Sequence, residues 1–146
     1  MAHLRGFIIG IAALCSSSLS AATLTVDLNG GADYTELQSA IDAAADGDTV
    51  LVKPGEYVIT EPINFNRLHD PANPASPPVK NIVVKSEGGS EVTTIRMSET
   101  PTNSDRASVV IFENGETDAS VLDGFMIDGG KGTKHGTEEW QSVSGK

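Results

Sequence analysis

Short apolar runs, each closed by a charged residue, recur along the chain. The run at 50–52 is followed by Lys53; it returns at 82–84, 32 residues later, and at 110–112, a further 28 residues on. A glycine follows each run within a few positions. A second apolar segment follows each glycine, at 57–59, 93–97 and 121–127. This order of strand, turn and strand at nearly constant spacing predicts a repeated unit instead of a single hairpin.

The repeat predicts parallel strands that are stacked in a coil. Consecutive apolar positions are typical of parallel strands covered on both faces. Short strands rich in Val, Ile and Thr with glycine turns also fit an antiparallel sandwich, which remains the alternative. In the coiled arrangement, equivalent residues of successive circuits form ladders. The predicted ladders are Val50/Ile82/Val110 and Val52/Val84/Phe112.

An amphipathic helix is predicted over 35–45, before the first repeat. Thr35 and Gln38 form a candidate capping box, and Gly47 is a natural helix stop. Such a helix would cover the open end of the stack, which must be hidden from water and from pairing with other strands. Its apolar residues recur at helical spacing on one face: Leu37, Ala40, Ile41 and Ala44.

Two stretches of the sequence resemble a known family. These are "ADYTELQSAIDAAADGDTVLVKPGEYV" (32–58) and "ENGETDASVLDGFMIDGG" (113–130), and the likeness extends from 24 to about 130. Both are similar to right-handed parallel β-helix proteins of the pectin-lyase-like superfamily, which includes enzymes and non-enzymes. The resemblance implies an all-β protein: a right-handed parallel β-helix with an N-terminal capping α-helix, truncated after about three circuits. The β-helix is expected over 23–130 and a flexible tail over 131–146.

The N-terminal segment 1–22 has the order of a secretory signal peptide. A charged start is followed by an apolar stretch and then by small residues, and the stretch is too short for a permanent membrane span. Cleavage after Ala22 would place Ser20 and Ala22 at the small-residue positions, so the secreted chain is expected to begin at Thr23. A short buried helix is the alternative. Cys15 lies in this segment, so no disulfide is expected in the mature protein.

The charge balance limits the partners. The formal net charge is −10, which argues against nucleic acid, since phosphate binding requires clustered Lys and Arg. It also argues against direct capture of acidic polysaccharide unless calcium bridges the charges, so calcium is the one cofactor left open. The acidic residues Glu116, Asp118, Asp123 and Asp128 do not follow the spacing of a calcium loop and are interpreted as solvated turn carboxylates. Asp123 with Gly124 predicts a tight bend.

Candidate contact residues are few. The proline-rich segment 66–79 predicts a projecting loop, because it fits neither helix nor sheet. Arg67, His69 and Asp70 in this loop, together with Tyr57, are the candidate ligand contacts. Tyr57 and Trp140 are the aromatic residues expected to form stacking platforms, whereas Phe65, Phe112 and Phe125 are expected in the core. No catalytic, cofactor-binding or metal-binding residue is assigned.

Two functions from different classes fit the sequence. The first is an exported scaffold or surface protein that contacts extracellular polysaccharide and is not catalytic as this chain. The alternative is the N-terminal part of a polysaccharide lyase or pectinesterase whose active site lies on further circuits. In either case Val121, Phe125 and Ile127 are expected to face solvent or a partner, and the chain is expected to associate through this C-terminal circuit.

Overall fold

The computed structural model describes residues 20–134, which form eleven strands and one short helix. The segment 1–19 with Cys15, and the segment 135–146 with Trp140, lie outside the described residues. No helix among the described residues is long and apolar enough to span a membrane. The elements are β1 Thr23–Val26, α1 Leu37–Ala43, β2 Thr49–Val52, β3 Gly55–Ile59, β4 Ile63–Asn64, β5 Val83–Ser86, β6 Thr93–Met97, β7 Arg106–Ala107, β8 Val110–Ile111, β9 Val121–Asp123, β10 Met126–Asp128 and β11 Gly132–Thr133.

Parallel pairing organises most of the strands into three sheets. Sheet 1 has the order β1-β2-β5-β9, sheet 2 has the order β3-β6-β10, and sheet 3 pairs β4 with β8. Every neighbouring pair in these sheets is parallel, whereas β7 and β11 form a separate antiparallel pair. The chain passes through sheets 1, 2 and 3 and then returns to sheet 1 beside the strand it left. The predicted all-β class is confirmed, and the parallel order excludes the antiparallel sandwich.

The register of sheet 1 differs from the predicted ladders. Val50 pairs with Val84 and not with Ile82, and Val52 pairs with Ser86 and not with Val84, a shift of two positions in both ladders. Val84 pairs with Leu122 and not with Phe112. Both ladders were therefore wrong, because apolar side chains at 82 and 84 are both buried and the hydrophobic pattern alone cannot choose between them.

The third apolar run belongs to a different sheet from the one predicted. Val110 and Ile111 form β8, which pairs with β4 in sheet 3. The third partner in sheet 1 is supplied by β9, from the segment 121–127 that was predicted to be a single strand. Gly124 divides that segment into β9 and β10 with a φ of +78°, in the left-handed region that favours glycine. The bend predicted at Asp123-Gly124 is confirmed.

The helix α1 closes the side of the core beside the first strands. It contacts β1, β2 and β4. The predicted apolar face is confirmed, since Leu37, Ala40, Ile41 and Ala44 are all buried. The predicted bounds were too wide, and the capping box was wrong. Glu36 occupies the N-cap without a side-chain hydrogen bond. Gln38 is engaged elsewhere, because its amide exchanges hydrogen bonds with the backbone of Asn64 at 2.9 and 3.0 Å.

Lys80, in the segment between β4 and β5, caps the C-terminal end of α1. The Lys80 ammonium donates to the carbonyl oxygens of Ile41, Asp42 and Ala44 at 2.5, 3.0 and 2.8 Å. Carbonyl groups at a helix end lack partners within the helix, and a cation is favoured there. Lys80 therefore fixes the helix to the chain that leads into β5.

The opposite end of the sheets exposes apolar side chains. Val121 and Met126 are exposed, Ile127 is 47% exposed, and Leu122 and Phe125 are half-buried against the core. By contrast, Val50 and Val52 in β2 are fully buried. The described residues therefore pack less completely toward β9 and β10, as the sequence predicted for Val121 and Ile127.

Two segments outside the main sheets have defined backbone structure. The segment 66–79 contains neither helix nor strand, as predicted. It is held by its own hydrogen bonds, from Asn73 N to Asp70 O at 3.0 Å and from Ser76 N to Asn73 O at 2.9 Å. The region assigned to a flexible tail begins differently from the prediction, because Gly132 and Thr133 form β11 against β7.

Candidate functional site

A surface groove runs beside α1 and the β3–β4 turn. It consists of two adjoining hollows of about 290 and 640 Å³ that share Glu61, Pro62 and Arg67. The smaller hollow reaches the start of α1, and the larger one reaches Arg106 near β7. We call this surface the Arg67 groove. Two of the four candidate contact residues line it: Arg67, which both hollows share, and Tyr57, which borders the smaller one.

Arg67 is held in position by carboxylates on two sides. Its Nε donates to both carboxylate oxygens of Asp42, at 3.0 and 2.9 Å, and its Nη2 also contacts Asp42. Its Nη1 lies 3.8 Å from a carboxylate oxygen of Glu61. The hydrogen bond to the Asp42 carboxylate is the main cause that raises the pKa of Arg67, so the guanidinium stays charged. Its side chain is 41% exposed, so the positioned guanidinium remains accessible.

Arg106 is the second guanidinium of the groove, and it has the same kind of partner. It forms an ion pair with Glu113. The hydrogen bond from its guanidinium to the Glu113 carboxylate is the main cause that raises the pKa of Arg106. Glu113 also accepts a hydrogen bond from the Asn64 amide at 3.0 Å. Because Asn64 is buried in β4, the Arg106–Glu113 pair is anchored to sheet 3.

An asparagine network joins the segments that follow the two strands of sheet 3, β4 and β8. Asn66 is buried, and its amide donates to Lys80 O at 3.0 Å and to Glu116 Oε1 at 3.1 Å. The Asn114 amide donates to Asn66 O at 3.1 Å. No buried side-chain nitrogen or oxygen among the described residues lacks a hydrogen-bond partner. Glu116 is therefore a structural acceptor, and its interpretation as a solvated turn carboxylate was wrong.

Tyr57 is a core residue, contrary to the prediction of an exposed stacking platform. It borders the smaller hollow of the Arg67 groove but is only 2% exposed. Its hydroxyl donates to Lys53 O at 2.9 Å, and burial is the main cause that raises its pKa. The tyrosine follows the Pro54-Gly55 corner at an inward-facing position of β3, so its ring cannot stack on a sugar.

His69 and Asp70 lie in the loop away from Arg67. His69 lines a separate, largely apolar hollow of about 380 Å³ with Phe65 and Pro78, and its Nδ1 lies 2.9 Å from Pro77 O. The Asp70 carboxylate accepts a hydrogen bond from Ala72 N at 2.9 Å. The His69 ring and the Asp70 carboxylate thus form contacts within the loop and stabilise its backbone. The structure places Tyr57 and Arg67 at one hollow and His69 at another, and does not unite the four candidates.

The three phenylalanines that were predicted to lie in the core occupy three different environments. Phe65 is buried at 1% exposure, as predicted, and Phe125 is half-buried against the core. Phe112 is 51% exposed, so its assignment to the core was wrong. Its ring stacks edge-on against Phe65 with centroids 4.9 Å apart. Phe112 lies just beyond β8, where its side chain covers Phe65 from the outside.

Sequence reasoning missed most of the polar residues of the groove and the carboxylate that holds Arg67. Asp42 was assigned only to the helix, and Glu61, Arg106 and Asn64 were given no role. One signal was available in the sequence Asn64-Phe65-Asn66, where one amide side chain stands on each side of an aromatic residue. Amide side chains donate and accept hydrogen bonds, so they are expected at the end of a strand, where backbone groups need partners.

The remaining acidic residues do not form a metal centre within residues 20–134. No group of three or more His, Cys, Asp or Glu side chains in that range could hold a metal ion. Asp128 pairs with Arg96 at 2.5 Å.

Comparisons of the chain with protein families, with curated proteins and with solved structures gave no match.

Proposed function

We propose that the chain is an exported, non-catalytic scaffold that contacts polysaccharide through the Arg67 groove. The proposed fold is a right-handed parallel β-helix, with α1 covering the end beside β1. The order of strand pairing supports this fold, since each return to sheet 1 adds a parallel strand beside the previous one. The proposed hand follows from the strong preference of parallel crossover connections for the right-handed form.

The paired charges of the groove carry the choice of ligand. Arg67 and Arg106 each hold a carboxylate already, so the groove presents alternating donors and acceptors instead of an uncompensated positive charge. Such a surface suits the hydroxyl groups of a neutral polysaccharide. The formal net charge of −10 further disfavours a polyanion.

A binding role accounts for the groove better than a catalytic one. A general acid or base must be within reach of the substrate and able to exchange a proton with it. Beside the groove, the carboxylates of Asp42 and Glu113 are engaged by guanidinium groups. Glu61, which lines both hollows, faces Arg67 with its carboxylate oxygen 3.8 Å from Nη1. The alternative, an N-terminal part of a lyase or pectinesterase, requires an acid–base set on further circuits.

Loss of the groove arginines is expected to weaken retention on polysaccharide. The exported chain should be retained on an insoluble neutral polysaccharide such as cellulose or mannan. The double variant Arg67→Ala/Arg106→Ala should bind at least about tenfold more weakly, a loss of about 1.4 kcal/mol or more. Arg96→Ala is the matched control. It removes an exposed, ion-paired arginine from sheet 2 and should leave binding unchanged.

Each other outcome counts against the proposal. Equal retention of the double variant and the control would exclude the Arg67 groove as the binding surface. Absence of retention on every neutral polysaccharide would contradict polysaccharide contact. Calcium-dependent release of unsaturated uronides from pectin, or release of methanol, would support the enzyme alternative. Thermal melting of each variant confirms that it is folded.

A further inference from the structure

The first hydrogen bonds of the described chain are made by Ala22. Its backbone N–H donates to the Asp48 carboxylate, with Ala22 N 2.7 Å from Oδ1. Its carbonyl oxygen accepts from Thr49 N at 2.9 Å. Among residues 20–134, Ala22 is thus the point at which the chain becomes fixed to the start of β2. Removing this residue would break both hydrogen bonds.

Asp48 is a buried carboxylate in need of donors. It is 7% exposed, and its second oxygen, Oδ2, accepts from Ala45 N at 2.8 Å. The hydrogen bond from Ala22 is the largest cause that lowers the pKa of Asp48, and the bond from Ala45 is the next. The nearby Lys80 ammonium is occupied by the carbonyl oxygens at the end of α1. A buried carboxylate is costly without hydrogen bonds or an opposite charge.

We infer that the exported chain is cleaved between Ala21 and Ala22, and that the new α-ammonium group of Ala22 pairs with Asp48. In this step, water hydrolyses the Ala21–Ala22 peptide bond. Ala21 receives the water oxygen and becomes a carboxylate, and the Ala22 nitrogen takes up both water protons and becomes an ammonium group. The inference rests on the export proposed above, and it differs from the cleavage after Ala22 that the small-residue pattern alone favours.

Cleavage one bond earlier keeps both hydrogen bonds of Ala22 and strengthens one of them. An ammonium donor facing a carboxylate forms a charge-assisted hydrogen bond, which is stronger than the bond from a neutral amide. Ala21 provides a small residue immediately before the cleaved bond, and Leu19 stands at the other position of the small-residue pattern. Cleavage after Ala22 would instead leave Asp48 Oδ1 without the donor that it has in the structure. Processing at Ala21–Ala22 therefore completes the charge balance around Asp48.

The test is the N-terminus of the exported protein and the pKa of its α-amine. The full chain is expressed with its own leader, the exported form is purified, and its intact mass and N-terminal sequence are determined. A chain that begins with Ala22 is expected. A chain that begins at Thr23 or at any other residue after the leader would overturn this inference and leave export intact. Retention of Met1 on exported protein, or failure of export, would contradict the proposed export as well.

A second readout tests the contact with Asp48. The α-amine pKa is measured from the pH dependence of its reaction with an acylating reagent, in the folded chain and in the same chain unfolded by urea. Pairing with a carboxylate favours the charged amine, so the folded pKa should be higher by about one unit or more, which slows labelling at pH 8 by a factor of about four to five or more. An equal or lower pKa in the folded chain would overturn the pairing.

Discussion

Replacing Phe65 with alanine is expected to lower the free energy of unfolding by about 3–5 kcal/mol. Phe65 is 1% exposed and belongs to the continuous core formed by the sheets and α1. Its removal leaves a cavity next to β4, where the buried Asn64 and Asn66 restrict the movement that could fill it. Chemical denaturation of the original chain and of Phe65→Ala measures the loss.

Phe112→Ala is the matched control, because it removes the same side chain from the same contact. Phe112 is 51% exposed, so it loses mainly the edge-on interaction with Phe65. The expected loss is about 0.5–1.5 kcal/mol, the size of an aromatic pair. Equal losses for the two variants would show that Phe65 is not the buried partner.

Replacing Lys80 with methionine is expected to cost about 1.5–3 kcal/mol, the size of hydrogen bonds to a charged group. Methionine keeps much of the apolar stem but removes the ammonium group that donates to Ile41, Asp42 and Ala44. The helix end then has carbonyl groups without their donor. The free energy of unfolding and the helical signal in circular dichroism should both decrease.

Lys85→Met controls for the loss of a surface charge. Lys85 is exposed in β5, the strand that follows Lys80 in the chain. Its replacement should change the free energy of unfolding by less than about 0.5 kcal/mol. If Lys80→Met behaves like Lys85→Met, the ammonium at the end of α1 does not stabilise the fold.

Elements defined by local pattern could be predicted from the sequence. The buried face of α1 follows from the spacing of Leu37, Ala40 and Ile41, and 93–97 was predicted with the bounds of β6. The bend at Gly124 follows from a residue that adopts a positive φ without strain. These features depend on a few neighbouring residues, so the sequence contains the information directly.

Register and sheet membership could not be predicted in the same way. Ile82, Val84 and Val109 are all buried, so hydrophobicity identifies inward positions without specifying which strands pair. The segment between β6 and β9 contains β7 and β8, which lengthens the chain between β5 and its next partner in sheet 1. That partner is therefore β9, which begins at Val121.

The Arg67 groove was inaccessible to sequence reasoning for a related reason. The ion pair that positions Arg67 joins it to Asp42, 25 positions away in the chain. Tyr57 was misplaced because a tyrosine after a Pro-Gly corner can face either side of a strand. Only the alternation within β3, which directs residue 57 inward and residue 58 outward, decides between them.

Amide hydrogen exchange along sheet 1 and sheet 2 tests the central claim most directly. This claim is a stack of circuits that α1 covers at the end beside β1 and that is exposed at the end formed by β9 and β10. Protection reflects the free energy of local opening, and it should follow the burial of each strand. Val52 and Val84 are fully buried, whereas Ile127 is 47% exposed. We expect the strongest protection in β2 and β5 and weaker protection in β9 and β10. Equal protection at Val52 and Ile127, in a monomer that unfolds in one cooperative step, would contradict the stack.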